Sequence, residues 1–133
     1  MARVVPDYSG IKRYVQELED GVYLAKIDAS RAAELEEDEA GTYFNLDFVL
    51  QEGPEDGGMI GARIYTNGRR AFVCDQLVRA LNLRVPFDTV ADTNGKLVRI
   101  QTKANQSGDR VYVNVWRILP AGEGGGGQDL PIG

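Results

Sequence analysis

Histidine is absent from this chain. That removes the usual general base near neutral pH, the commonest metal ligand, and every catalytic triad built on imidazole. Cysteine is nearly absent: Cys74 stands alone, so no internal disulfide can form. A lone cysteine fits a reducing compartment better than a secreted, disulfide-stapled scaffold. Long apolar runs are missing too, and nothing approaches the roughly 20 residues needed to cross a bilayer. The first residues lack the charged start, apolar stretch and cleavage site of a secretory leader. Neither a phosphate loop of the G-x-x-x-x-G-K-[ST] kind nor the D-x-D-x-D-G spacing of a calcium loop occurs. Together these absences lean away from an enzyme, and no cofactor, metal site or membrane contact is expected.

What is present suits one globular domain. The chain has 133 residues, 43% of them hydrophobic, and a domain of this size buries roughly two-thirds of its unfolded surface without needing a disulfide or metal. The formal net charge is -5, but it is divided. Residues 1–59 hold 14 acids and 5 bases, whereas residues 60–119 hold 4 acids and 10 bases. Exposed charges more than roughly 8 Å apart are largely screened at physiological salt, so a basic face can act on a net-acidic protein.

Hydrophobic periodicity outlines the elements. Residues 7–19 read as a helix, with Asp7 or Ser9 as cap, Ile11, Tyr14, Val15 and Leu18 as an apolar stripe, and Gly21 as the stop. Five strand-like runs follow: Val22–Ala29, Thr42–Leu50, Met59–Thr66, Leu97–Lys103 and Arg110–Leu119. Phe72–Leu83 reads as a short helix between the third and fourth. The acidic run Glu34 to Glu39 reads as a solvated loop, with divalent-cation binding as the alternative. Gln106-Ser107-Gly108-Asp109 reads as a hairpin turn. Cys74 reads as a packing residue. After Pro120 four consecutive glycines mark a flexible linker.

Alternation sorts the strands by face. Phe44, Leu46, Phe48 and Leu50 share one side of their strand, as do Val98, Ile100 and Thr102, and Val111, Val113 and Val115. The opposite sides collect Tyr43, Arg63, Tyr65, Arg99, Gln101, Lys103, Tyr112, Asn114 and Trp116. Rings interleaved with cations on one sheet face are what unpaired nucleic acid requires: bases stack on the rings and cations follow the phosphates. The alternative is a second small core, with Tyr112 and Trp116 covered by the N-terminal helix. Arg69 and Arg70, in a turn beside Phe72, are either solvated or phosphate-holding.

The helix between the third and fourth of five strands is the OB-fold order. The stretches Gly21–Ile27 (GVYLAKI), Tyr43–Phe48 (YFNLDF), Cys74–Leu83 (CDQLVRALNL) and Gly95–Lys103 (GKLVRIQTK) resemble the small OB-fold single-stranded DNA-binding proteins of phage replication and recombination gene clusters. The likeness spans residues 21–119. It implies a mainly β, five-stranded OB-fold barrel with an N-terminal helical extension over residues 1–20 and a Gly-rich tail over 120–133. It implies a non-sequence-specific single-stranded DNA binder in the host cytoplasm, able to form homo-oligomers. On that reading Arg63, Arg69, Arg70, Arg99, Lys103 and Arg110 take phosphates, and Tyr43, Tyr65, Tyr112 and Trp116 stack bases. The tail end, Asp129-Leu130-Pro131-Ile132, is similar to the tips with which bacterial single-stranded DNA-binding proteins recruit replication or recombination partners; it departs from them by a single acid, no terminal Phe and an extra Gly133. Two other readings stay open: a structural or assembly protein on the same barrel, and a metal-dependent nuclease using the scattered Asp28, Asp47 and Asp75.

Overall fold

The computed structural model of the chain describes residues 13–122. Within them the protein is mainly β. Its elements are β1 (Gly21–Asp28), β2 (Glu36–Asp38), β3 (Gly41–Leu50), β4 (Met59–Tyr65), α1 (Ala71–Leu81), β5 (Leu97–Ser107) and β6 (Arg110–Pro120). All strand pairings are antiparallel, and the long strands run in the order β4-β3-β1-β5-β6. β2 joins β3 on the same edge as β1, through Glu36, Glu37 and Asp38.

The expected alternation produces the core. Phe44, Leu46, Phe48 and Leu50 of β3 meet Ala25 and Ile27 of β1, Ile60 and Ile64 of β4, and Val98 and Ile100 of β5, all buried. α1 closes one end by burying Val73 and Leu77. Asn82 ends this helix in the left-handed region at φ 53°, while Leu83 N–H bonds back to Val78 O at 2.9 Å. Gly108, at φ 63°, supplies the turn between β5 and β6.

Two sequence expectations need correction. The helix expected over 7–19 lies partly outside the described residues, and from Arg13 onward it is not a helix. Instead Val15 N–H donates to Met59 O and Met59 N–H to Arg13 O, both at 2.8 Å, in a parallel bridge at the edge of β4. The open edge of β4 satisfies this backbone directly, and Val15 and Leu18 still reach the core. The spacing that suggested a helical stripe therefore fits an extended strap as well. The acidic run is not wholly a loop either: Glu36–Asp38 form β2, giving six strands rather than five. A short, charged strand is well tolerated at a sheet edge. The proposed linker lies beyond the described residues.

β6 also departs from simple alternation. Gln101 pairs with Arg117 but Thr102 pairs with Val115, which leaves Trp116 as an extra residue in a β-bulge. The shift lets Val115 and Ile118 both turn inward, although an even register would put them on opposite faces. Trp116 is set at the free edge of the sheet.

Candidate functional site

The nine outward side chains do share the outer face of the curled sheet, but β1 divides them. Tyr43, Arg63 and Tyr65 lie on β3 and β4. Arg99, Gln101, Lys103, Tyr112, Asn114 and Trp116 lie on β5 and β6. The two groups have different fates.

On β3 and β4 the two rings are covered, although Arg63 itself is exposed. Tyr43 and Tyr65 sit opposite one another with ring centroids 5.3 Å apart, and they are only 6% and 4% exposed. The Arg63 guanidinium lies 4.7 Å from the Tyr43 ring, and that of Arg70 lies 5.7 Å from Tyr65. Asp38 of β2 folds over them. Its Oδ2 accepts from Arg63 Nη1 and from the Tyr65 hydroxyl, both at 2.6 Å, and its Oδ1 accepts from Ala40 N–H at 2.8 Å. The Tyr65 hydroxyl, the Ala40 amide and Arg63 together hold the Asp38 carboxyl below its ordinary value. Tyr43 and Tyr65 thus present no open ring face: Arg63 and Arg70 lie against the rings, and Asp38, from the acidic run that read as a loop, takes the Tyr65 hydroxyl.

On β5 and β6 the face is open. Tyr112 and Trp116 are 44% and 42% exposed, and no helix covers them among the described residues. Arg117 places its guanidinium 5.8 Å from the Trp116 ring. Lys103, opposite Asn114, and Arg110, at the hairpin tip, are exposed. Arg99 is less available: it approaches Glu52 at 3.7 Å, and its Nε is buried without a hydrogen-bond partner. Arg69 and Arg70 stand exposed in the turn before α1, beside Phe72, which is 50% exposed.

Curling brings the free edges of β4 and β6 face to face, with Cα atoms within 8 Å. Between them runs a cleft of about 500 Å³ lined by Arg63, Tyr65, Arg70, Phe72, Asn114 and Trp116, among others. At Gly61 and Asn114 it meets a second hollow, about 700 Å³, bordered by Val15, Glu17, Arg110 and Tyr112. Met59 turns its backbone groups outward to the strap. The alternation of an antiparallel ladder then aims the N–H and C=O of Gly61, Arg63 and Tyr65 at this cleft. The cleft therefore combines guanidinium and amide donors, which suit anions, with exposed rings, which suit flat apolar groups.

The carboxylates considered for metal chemistry are placed otherwise. Asp47 is fully buried: its Oδ1 accepts from Arg31 Nη2 at 2.6 Å and the Tyr14 hydroxyl at 3.1 Å, and its Oδ2 accepts from Arg31 Nε at 2.9 Å. The hydrogen bonds to Asp47 raise the Arg31 pKa, and desolvation, then Asp47, raises that of Tyr14. Asp28 faces Asp47 across β1 and β3, while Asp75 is on α1, paired with Arg79 at 3.1 Å. Among the described residues no group of three acids, cysteines or histidines is placed to hold a metal ion. Burial, then Asp75, pushes the half-buried Cys74 thiol up.

Sequence reasoning did not assign roles to Phe72, Arg117 or Asp38. The bulge had a visible sign: apolar residues at 111, 113, 115 and then 118 break an even spacing. Asp38 had none, since its partners are 25 and 27 residues away. No family model matches the chain, and no curated protein matches it.

Proposed function

We propose that this protein binds single-stranded DNA without sequence specificity, in phage replication or recombination, through the cleft between β4 and β6 and the adjoining face of β5 and β6. The observation that carries this reading is the convergence in one elongated groove of exposed rings and a cation from separate elements, Phe72 and Trp116 with Arg70, with Arg117 against the Trp116 ring. Arg69, Lys103 and Arg110 extend the cationic path. The five long strands, in the order β4-β3-β1-β5-β6 with α1 between β4 and β5, support an OB-fold barrel in which β2 is an insertion. The resemblance of residues 21–119 supports the phage setting.

The mechanism is association without chemistry. Cations replace condensed counterions along the backbone, so binding weakens with salt at a log–log slope of about -0.7 per phosphate neutralised. Each base stacked on an aromatic ring contributes about 1–3 kcal/mol. The test is a titration with oligo-dT at two salt concentrations, followed by Trp116 fluorescence in the native chain and by anisotropy of fluorescein-labelled oligo-dT in Trp116→Ala, which has no tryptophan left. Quenching, salt sensitivity and a loss of about 5- to 150-fold in Trp116→Ala are expected. Absence of binding at low salt rejects the reading.

A structural or assembly role is favoured by one feature, the exposed apolar Val22, Leu97 and Val111 on β1, β5 and β6. Tight self-association or partner capture by a chain without DNA affinity would support it.

A further inference from the structure

We propose that Asp38 is an internal stand-in for phosphate: its carboxylate occupies the Arg63–Tyr65 donor pair and must be displaced before a nucleic-acid phosphate can bind there. This rests on the nucleic-acid reading of the cleft and assigns the regulation of that site to β2.

Arg63 and Tyr65 both line the cleft. Their donors converge on a single oxygen, Asp38 Oδ2, at 2.6 Å each. A non-bridging phosphate oxygen asks for the same arrangement, a guanidinium and a hydroxyl donating to one anionic oxygen. The donor pair is preformed: the Tyr43 ring supports the Arg63 guanidinium, and Arg70 lies over the Tyr65 ring. Removing the carboxylate would leave both donors in position.

The competitor is also positioned rather than loose. Ala40 N–H holds Asp38 Oδ1, and Asn67 Oδ1 accepts from Thr42 N–H at the base of the β2–β3 hairpin. Gly41 permits this close approach, since a Cβ there would lie 2.3 Å from Asn67 Oδ1. Yet β2 is only three residues long and pairs with β3 alone. Glu34, Glu37 and Glu39 are exposed around it and add repulsion toward an arriving polyanion. A short acidic strand on a preformed anion site lowers affinity without removing the site.

The test compares the full chain with Asp38→Asn, Arg63→Ala and the double variant, using fluorescein-labelled oligo-dT at two salt concentrations. Asparagine keeps an acceptor for Ala40 N–H, and thermal melts confirm that each variant folds; Asp38→Ser is the substitute if it does not. One additional phosphate contact at a slope of about 0.7 predicts binding about fivefold tighter at 0.1 M salt for Asp38→Asn, and a slope steeper by the same amount. The gain should vanish in the Arg63→Ala background. Unchanged or weaker binding by Asp38→Asn, with the native chain binding normally, overturns the proposal and leaves the nucleic-acid reading intact. If the native chain binds no oligo-dT, that reading fails separately. Inorganic polyphosphate then decides: Arg63-dependent binding by Asp38→Asn supports the proposal, and none overturns it.

Discussion

Replacing Arg31 should damage the protein more than replacing its partner Asp47, although either change disrupts the two hydrogen bonds between them. The asymmetry comes from burial: the Asp47 side chain is 0% exposed, that of Arg31 43%. Arg31→Met strands a carboxylate in the interior. Removing one partner of a buried pair costs about 3–5 kcal/mol, and the remaining Tyr14 hydroxyl, 3.1 Å away, offsets about 1 kcal/mol. A loss of about 3 kcal/mol is therefore expected. Asp47→Asn instead releases a guanidinium that already reaches water, so the loss should be about 1.5 kcal/mol, the value of a charge-assisted hydrogen bond. Adding Asp47→Asn to Arg31→Met should recover stability, because the stranded charge is gone. Urea unfolding at neutral pH measures all three, provided the slope with denaturant stays constant. An Asp47→Asn variant as unstable as Arg31→Met, or a double variant whose loss equals the sum of the singles, would refute the reasoning.

Other outcomes follow from single positions. Leu77→Ala should cost about 2–5 kcal/mol in the same unfolding assay, because this side chain is fully buried on the inner face of α1. Asn82→Ala should cost about 1 kcal/mol and Asn82→Gly should not, since φ is 53° there. Stability should fall in acid. Asp38 and Asp88 have folded pKa values below their ordinary 3.8, Asp38 chiefly through the Tyr65 hydroxyl and Asp88 through the Ala91 and Val90 amides. Their contribution is full above about 3.8 and is lost as pH falls through the lower folded values. Melting temperatures followed from pH 6 to pH 2 should show this, with a flatter profile for Asp38→Asn.

The strands and α1 were legible because burial imposes a period that neighbouring residues can reveal. Phe44 to Leu50 alternate, and Leu77, Val78 and Leu81 fall at helical spacing, whatever the rest of the chain does. The strap from Arg13 was not legible. Tyr14, Val15 and Leu18 satisfy a helical spacing, and the hydrogen bonds that draw them into an extended bridge come from Met59, over 40 residues away. The open groove was legible as a set of residue types but not as a selection among them. Tyr43 and Tyr112 look alike in the sequence, each on the polar side of a strand.

Which side chains share a face follows from local pattern alone, because it depends only on a two-residue repeat and the apolar preference for the interior. Which of those side chains stay open follows from the folded arrangement. Curling brought the edges of β4 and β6 together, the bulge turned Trp116 to the rim, and β2 laid Asp38 over Arg63 and Tyr65. Each of these depends on contacts between residues distant in the chain, whose energies no local pattern records.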